Sequence, residues 1–226
     1  DCLGMALDIW NIVRVETGLS GFVIEGEGAA ELPKGTSNLV YRCFGLAFAE
    51  AGQPVPEARF TCDNNIPLGR GLGSSAAAAV GGLMAGNQLC GRPLSQAHLL
   101  ELAARTEGHP DNVAPALLGG CQVAVRDEDL IVTSRVPLPD DLHAVLFIPD
   151  VPMPTKEARS LLPPNVDRRD AVYNIGRVGL LVNALATGDL SQLVVATDDR
   201  LHQPARQAIF PPMKNIFRAA VAAGAL

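Results

Sequence analysis

The first part of the chain alternates β-branched and polar residues, a pattern that is typical of strands. One such run covers Ile12 to Val15, another covers Phe22 to Ile24, and a glycine-containing turn separates them. Beyond Asn38 the apolar residues recur at helical spacing as far as Phe48, and Gly52 follows them. The pattern therefore predicts strands, a turn, and then a helix that Asn38 caps at its start.

The middle of the chain predicts a strand followed by two helices. Residues 58–66 alternate so that Phe60 and Cys62 share one face of a strand. A run of small residues from Ser74 to about Leu89 then predicts a helix, and its glycines favour close packing against a neighbour. Ser95 is a suitable cap for the second helix.

The second half mixes the two element types. Residues Cys121 to Val125 predict a strand, and a connection rich in proline and acidic residues at Pro137 to Asp141 marks a domain boundary. Beyond it, Ala144 to Ile148 has a strand pattern, and we expect helices over about 170–186 and 190–197 and another near the end. The order is mixed α and β, too irregular for a simple βαβ series.

Composition narrows the class of protein. The 226 residues are 48% hydrophobic and 19% charged, as in soluble globular proteins, and the net charge of −6 disfavours general nucleic-acid binding. No apolar run reaches the roughly 20 residues of a membrane helix, and no secretory signal is visible. The five cysteines form no C-x-x-C pair, so we expect buried thiols in a cytoplasmic protein.

A glycine-rich loop that leads into the helix of small residues is the most informative segment. Gly69, Gly71 and Gly73 can turn backbone N–H groups toward a ligand, and they lack side chains that would block its approach. The helix that follows adds unpaired N–H groups and the positive end of its dipole, which suit a phosphate. Ser74 and Ser75 can bind a phosphate oxygen or a magnesium ion.

Two common nucleotide motifs do not fit this loop. Its glycines are spaced G-x-G-x-G rather than G-x-G-x-x-G, and no lysine precedes Ser74 as a Walker A motif requires. On loop chemistry alone, a purely structural glycine turn packed against a sheet stays open as an alternative.

The same loop resembles the ATP-binding signature of the GHMP kinases, which include galactokinase, homoserine kinase, mevalonate kinase and phosphomevalonate kinase. The resemblance implies that the loop wraps the phosphates of ATP, and that Asn38 lies on the adenine side as well as capping its helix. The eleven residues of the signature are Pro67, Leu68, Gly69, Arg70, Gly71, Leu72, Gly73, Ser74, Ser75, Ala76 and Ala77.

A second block distinguishes members of this superfamily. Residues 107–120 read E-G-H-P-D-N-V-A-P-A-L-L-G-G and resemble the corresponding block of homoserine kinases almost residue for residue, whereas mevalonate and galactose kinases differ there. Residues 1–4 and 155–159 resemble two further segments of that family. Relative to the family, we expect both ends of the chain to be truncated.

The resemblance also implies a fold and a division of the chain. It implies the two-part α/β (α+β) GHMP kinase fold, with an N-terminal ATP-binding domain over residues 1–137 that is similar to ribosomal protein S5 domain 2. An incomplete, ferredoxin-like C-terminal domain is implied over residues 138–226. Composition alone supports only a mixture of α and β.

The implied reaction transfers the γ-phosphoryl of ATP to the side-chain hydroxyl of L-homoserine, giving O-phospho-L-homoserine for threonine biosynthesis. Because the substrate is a zwitterion, its pocket needs an anion for the ammonium and cations for the carboxylate, which the planar fork of arginine suits. The resemblance implies that Asp1 binds the ammonium group and that Arg159 and Arg206 bind the carboxylate. It also implies that four further residues lie near the substrate: His109, Asp111, Asn112 and Thr155.

The resemblance makes Ser75 and Glu101 the ligands of Mg²⁺, an ion that prefers hard oxygen donors, with Glu107 as the competing carboxylate. Asp111 would orient the attacking hydroxyl or accept its proton, and both roles stay open. Since phosphoryl transfer depends mostly on alignment and charge neutralisation, we expect direct in-line transfer without a phosphoenzyme. The implied catalytic residues are Asp111, Arg159 and Glu101.

Two alternatives stay open. The block at 109–112 disfavours another GHMP-type small-molecule kinase, such as one that acts on mevalonate. The intact loop, Glu101 and Asp111 disfavour a non-catalytic ligand-binding protein with the same fold. The expected partner is the small-molecule substrate, with no nucleic acid and no membrane, and a homodimer stays open as the assembly.

Overall fold

A computed structural model describes residues 2–149 and 161–226. Asp1, Thr155 and Arg159, which the sequence assigns to substrate binding, lie outside the described residues. The chain divides into two compact units, Asp1–Arg135 and Val136–Leu226. In the described residues, no helix is long and apolar enough to cross a membrane.

The first unit contains two three-stranded sheets and four helices. One sheet has the order β1-β5-β6, and the other has the order β2-β4-β3, in which β4 runs antiparallel to β2 and parallel to β3. The strands are β1 (Leu3–Met5), β2 (Ile12–Thr17), β3 (Gly21–Gly26), β4 (Ala58–Asn64), β5 (Cys121–Asp127) and β6 (Leu130–Val136). The helices are α1 (Leu39–Glu50), α2 (Ser74–Leu89), α3 (Gln96–Glu107) and α4 (Val113–Leu118).

Phe60 on β4 is the centre of an aromatic core between the second sheet and α1. Its ring lies edge-on to Phe44 of α1, with centroids 5.0 Å apart, and stacks on Phe22 of β3 at 5.3 Å. Phe60 and Cys62 are both buried, which confirms that they share the inner face of the strand. Such aromatic contacts contribute about 0.5–1.5 kcal/mol beyond the burial of area.

Helix α2 packs so closely against α1 that the backbones of the two helices are in contact. A Cβ atom placed on Gly82 would lie 2.3 Å from the carbonyl oxygen of Val40, and one placed on Gly86 would lie 2.6 Å from that of Phe44. The expectation of close packing is therefore confirmed, because only glycine leaves room for this approach. The contact fixes α2, and with it the loop that leads into the helix.

The predicted caps of α1 and α3 are also confirmed. The side-chain oxygen of Asn38 accepts a hydrogen bond from the N–H of Val40 at 2.8 Å, and that of Ser95 accepts from the N–H of His98 at 3.2 Å. Each cap satisfies a donor that the first turn of a helix leaves without a partner in the helix.

Helices make up the secondary structure of the second unit in its described residues beyond Val136. They are α5 (Arg168–Thr187), a 3₁₀ turn (Leu190–Gln192), α6 (Leu193–Ala196), α7 (Gln203–Ile209) and α8 (Met213–Ala222). The strand predicted at Ala144–Ile148 is wrong. The structure assigns no strand there, and Val145 and Phe147 are exposed. An apolar, β-branched run becomes a strand only where another strand pairs with it.

Asp199, in the loop before α7, accepts four hydrogen bonds. It accepts from the side chain of Asn174 on α5 and from the backbone N–H groups of Leu201, His202 and Gln203. Burial by itself raises the pKa of Asp199, but these hydrogen bonds together lower it below the ordinary value of 3.8.

The α1–α2 contact predicts that Gly82→Ala destabilises the protein. The added methyl would lie 2.3 Å from a backbone oxygen, so the helices must separate. We expect the free energy of unfolding to fall by about 1–3 kcal/mol, measured by urea denaturation followed by circular dichroism.

Gly45→Ala in α1 is the matched control. Its methyl would make an ordinary contact of 3.8 Å with Val55, so the gain in helix propensity should leave stability unchanged or raise it by about 0.5–1 kcal/mol. Equal losses in the two variants would contradict the packing argument.

The lowered pKa of Asp199 predicts a pH-dependent contribution to stability. A carboxyl with a lowered pKa binds its proton less tightly in the folded state than in the unfolded chain. Its contribution is therefore complete above the ordinary value of 3.8 and is lost as the pH falls through the folded pKa. We expect Asp199→Asn to destabilise the protein near pH 7, and the difference from the unaltered protein to shrink as the pH falls below 3.8.

Urea denaturation at several pH values measures this difference. The control is Asp140→Asn at an exposed position, which should change stability little at any pH. A difference for Asp199→Asn that is constant over the whole range would show that the ionised carboxylate contributes nothing.

Candidate active site

The glycine loop has the backbone conformation that an anion site requires. Gly69, Gly71 and Gly73 all have left-handed φ angles, of 65°, 74° and 76°, which other residues rarely adopt. Gly73 is the N-cap residue of α2 and offers no side-chain cap. The N–H groups of the first turn of α2 are thus left for a ligand, at the positive end of the helix dipole.

Ser75, in that first turn, is in contact with a carboxylate from another helix. Its hydroxyl donates a hydrogen bond to Oε1 of Glu107 at 2.6 Å. Glu107 is the last residue of α3, where the dipole of its own helix disfavours a negative charge, whereas the first turn of α2 favours one. The pair therefore places a hydroxyl and a carboxylate together at the start of the phosphate loop helix.

Glu101 has a different partner. Its carboxylate forms an ion pair with Arg105, one turn further along α3. Glu107 lies six positions after Glu101, which is about 9 Å along a helix axis. The structure thus brings Ser75 to Glu107, and a metal-binding role for Glu101 stays a prediction.

The His-Pro-Asp-Asn block lies beside the loop. A Cβ atom placed on Gly73 would be 3.7 Å from Cβ of Asn112, so these two residues are neighbours. Within the block, Nδ1 of His109 contacts Oδ1 of Asp111, and both side chains are 13% exposed. The structure therefore brings together the glycine loop and the His-Pro-Asp-Asn block, although residues 78–108 lie between them in the chain.

Gly4, on β1, is a further residue at this site. A Cβ atom placed on Gly4 would lie 2.0 Å from the carbonyl oxygen of Asp111, so β1 passes directly against the block. Nothing in the sequence around Gly4 indicates this contact, because the two positions are far apart along the chain. The contact holds the backbone of Asp111 in place.

Asn38 and Arg206 are the remaining candidate residues that the structure describes. Both ends of the Asn38 amide are engaged, because Oδ1 accepts from Val40 and Nδ2 donates to the Pro33 carbonyl at 2.8 Å. Its adenine-side role stays a prediction. Arg206 lies on α7 of the second unit with its side chain exposed.

Most of the cysteines are buried thiols. Four of the five free thiols are buried, as expected, and burial raises the pKa of Cys43 and of Cys62 to about 11. These two thiols stay protonated at neutral pH, which makes them poor nucleophiles and poor metal ligands.

The donors at Ser75 and Glu107 fit a magnesium ion that arrives with a nucleotide. Within the described ranges no group of three or more His, Cys, Asp or Glu side chains could hold a metal by itself. A hydroxyl and a carboxylate are the hard oxygen donors that Mg²⁺ takes together with substrate phosphates and water. A carboxylate next to a phosphate-binding helix terminus would repel the phosphates unless a cation lay between them.

Comparison with known proteins agrees with this geometry. A family model described as "GHMP kinases N terminal domain" matches residues 38–120, from the cap of α1 to the residue before β5. This stretch contains the glycine loop, Ser75, Glu107 and the His-Pro-Asp-Asn block. Fold and site together define a GHMP kinase.

Curated relatives identify the family within that class. The homoserine kinase of Moorella thermoacetica is 44% identical over 227 residues, covering 100% of this chain and 77% of that protein. The homoserine kinase of Trichormus variabilis is 45% identical over 230 residues, covering 100% and 76%. The chain belongs to the homoserine kinase family.

Solved structures confirm the mixed α/β GHMP kinase fold. The crystal structure of homoserine kinase from Cytophaga hutchinsonii matches with a TM-score of 0.81 at 33% identity, over 95% of this chain and 70% of that one. A Streptococcus pneumoniae phosphomevalonate kinase in complex with phosphomevalonate and AMPPNP matches with a TM-score of 0.63 at 15% identity, over 87% and 72%. The second likeness shows the fold alone.

The contact between Ser75 and Glu107 predicts which carboxylate holds the metal. We expect Glu107→Gln to weaken ATP binding in the presence of Mg²⁺ roughly tenfold and to change metal-free ATP binding little. Titration calorimetry with and without EDTA measures both affinities. Glu101→Gln is the matched variant on the same helix, with an expected change of less than about twofold. A larger loss in Glu101→Gln would favour Glu101 as the ligand.

Proposed function

We propose that the protein transfers the γ-phosphoryl of ATP to the side-chain hydroxyl of L-homoserine and forms O-phospho-L-homoserine, a step of threonine biosynthesis. The observation that carries the proposal is the contact of the glycine loop with the His-Pro-Asp-Asn block, through Gly73 and Asn112. In a chain that is 44–45% identical to homoserine kinases, this contact supports a nucleotide site next to a homoserine site.

The loop and the start of α2 would hold the nucleotide. Backbone N–H groups from Gly69 to Ser75 would bind the β- and γ-phosphates, and no side chain of the three glycines would stand in the way. Ser75 and Glu107 would hold the accompanying Mg²⁺, with Glu101 as the alternative ligand. When bound, the ion neutralises the negative charge that builds up on the phosphates.

The His-Pro-Asp-Asn block would hold the acceptor hydroxyl. His109 restrains the Asp111 carboxylate, so this carboxylate is pre-oriented to align the hydroxyl or to accept its proton. Asn112, next to Gly73, would lie between the hydroxyl and the phosphates. The transfer would be direct and in line, from ATP to the substrate oxygen, without a phosphoenzyme.

Charged side chains would select the amino acid. Asp1 would bind its ammonium group, Arg159 and Arg206 would bind its carboxylate, and Thr155 would add a hydrogen bond. Two arginines suit this task because each can bind a carboxylate through two parallel hydrogen bonds. Mevalonate and galactose lack the ammonium group, so this set of charges favours homoserine.

We also propose that the first unit has the fold of ribosomal protein S5 domain 2, and that the second unit is ferredoxin-like. The two sheets and four helices of the first unit support the former. For the second unit, whose described elements beyond Val136 are all helical, the match to the Cytophaga hutchinsonii homoserine kinase over 95% of the chain supports the GHMP kinase fold as a whole. A crystal structure with homoserine and a non-hydrolysable ATP analogue would test both.

A substrate panel tests the proposed function. ADP release is followed with L-homoserine, mevalonate, galactose and L-threonine, each with Mg²⁺ and with EDTA. We expect a strong, Mg²⁺-dependent preference for homoserine. Turnover of another alcohol alone would keep the kinase and overturn the substrate, whereas ATP binding without turnover of any alcohol would favour a non-catalytic protein.

The position of Asp111 predicts a loss of turnover in Asp111→Ala. We expect kcat at saturating homoserine to fall by roughly a hundredfold, because the hydroxyl loses its aligning carboxylate. The control is His109→Ala, which keeps the carboxylate but removes its restraint and should reduce kcat less. Full turnover in Asp111→Ala would exclude both an aligning and a basic role.

A further inference from the structure

Arg206 lies on a helix that burial of apolar surface does not hold in place. Helix α7 (Gln203–Ile209) has seven residues, and none of them is buried. A helix this short is not stable by itself in water, because its few hydrogen bonds do not offset the cost of nucleation. A guanidinium that binds a substrate at a fixed position needs a fixed backbone. Another set of contacts must therefore fix α7.

Asp199 supplies the restraint at the start of the helix. Its Oδ1 accepts a hydrogen bond from the N–H of Leu201 at 2.9 Å, and its Oδ2 accepts from the N–H groups of His202 at 2.7 Å and Gln203 at 2.5 Å. The N-cap residue His202 provides no side-chain cap of its own. Asp199 thus satisfies the free donors and places a negative charge at the positive end of the dipole.

Asn174 attaches this capped loop to the long helix α5. Its Nδ2 donates to Oδ1 of Asp199 at 2.5 Å, and its Oδ1 accepts from the backbone N–H of Arg200 at 3.0 Å. One side chain therefore holds the loop at two successive residues. Because both ends of the amide are used, Asn174 has one fixed orientation relative to the loop.

Neighbouring side chains of α5 strengthen the attachment. The ring of Tyr173 lies between two guanidinium groups, with Cζ of Arg177 at 3.3 Å and Cζ of Arg200 at 3.8 Å from its centroid. Its hydroxyl donates to Asp198, and Arg200 also pairs with Asp170 at 3.4 Å. The contributors from α5 are Asp170, Tyr173, Asn174 and Arg177, and this i, i+3, i+4, i+7 spacing places them on one face of the helix.

We propose that Asn174 and Asp199 are positioning residues for Arg206. They hold α7 on α5, and α7 holds the guanidinium where the substrate carboxylate binds. The inference rests on the proposed function in its assignment of Arg206 to the carboxylate. It adds that the affinity for homoserine depends on two polar residues that do not themselves touch the substrate.

Kinetics of single variants test the inference first. Asp199→Ala and Asn174→Ala are each expected to raise KM for homoserine roughly tenfold, because a misplaced cation loses binding to the carboxylate. They should leave kcat and KM for ATP within about twofold. Asp199→Asn, which keeps an acceptor oxygen, should restore part of the loss.

The matched control is Asp189→Ala in the same unit. Asp189 also accepts hydrogen bonds next to a helical turn, from Ser191 at 2.6 Å and from Gln192 at 2.6 Å, but none of these contacts reaches α7. This variant is expected to keep the KM of the unaltered protein. A rise in its KM equal to that of Asp199→Ala would overturn the inference, because any lost hydrogen bond in the unit would then have the same effect.

A double-mutant cycle tests whether Asp199 acts through Arg206. In an Arg206→Ala background, Asp199→Ala should change kcat/KM for homoserine by less than about twofold, although it has a large effect in the unaltered protein. Full additivity of the two losses would overturn the inference, because it would show that Asp199 and Arg206 act independently. If Asp199→Ala does not fold, Asn174→Ala takes its place in the cycle.

A readout that does not depend on activity separates this inference from the proposed function. The order parameter of the Arg206 Nε–H group, from ¹⁵N relaxation, should fall in Asp199→Ala and Asn174→Ala and stay unchanged in Asp189→Ala. An unchanged order parameter in all three variants would overturn the positioning role whatever the substrate. If the order parameter falls in the two variants as expected but the unaltered protein does not phosphorylate homoserine, the proposed function is refuted and the positioning of Arg206 still holds.

Discussion

The backbone contact between α1 and α2 is the constraint on which the rest of the first unit depends. Gly82 and Gly86 let α2 approach until a single methyl group would collide with the carbonyl oxygens of α1. Helix α2 also packs against α3, which ends at Glu107, and against α4, which follows the His-Pro-Asp-Asn block. Because these elements pack against the same helix, they place Glu107 and the His-Pro-Asp-Asn block next to its N-terminus and the glycine loop.

Different forces fix the candidate residues in the two units. In the first unit, apolar packing around α2 and the close approach of Gly4 to Asp111 hold the site residues in place. In the second unit, α7 has no buried residue, and hydrogen bonds to Asp199 and Asn174 take over that role. Polar contacts of this kind hold orientation well, because each donor and acceptor has one geometry that satisfies it.

Elements with a strong local signal were predicted well. The helix from Ser74 to Leu89 was predicted with its bounds, because small residues and a preceding glycine loop act locally. Two strands were not predicted correctly: β6 (Leu130–Val136) was missed, and the strand predicted at Ala144–Ile148 is absent. Both errors have one cause. Whether an apolar run becomes a strand is decided by a partner elsewhere in the chain, which the run itself does not contain.

The sequence by itself determined the class of chemistry, because the glycine loop and the His-Pro-Asp-Asn block are runs of consecutive residues that can be recognised without knowledge of the fold. Only the tertiary structure decided which carboxylate meets Ser75, since Glu101 and Glu107 are the same type of residue and lie on the same helix. The role of Gly4 also required the fold, because a close backbone approach leaves no mark in the sequence beyond a missing side chain. Motifs are local, whereas the pairing of side chains depends on how distant segments pack.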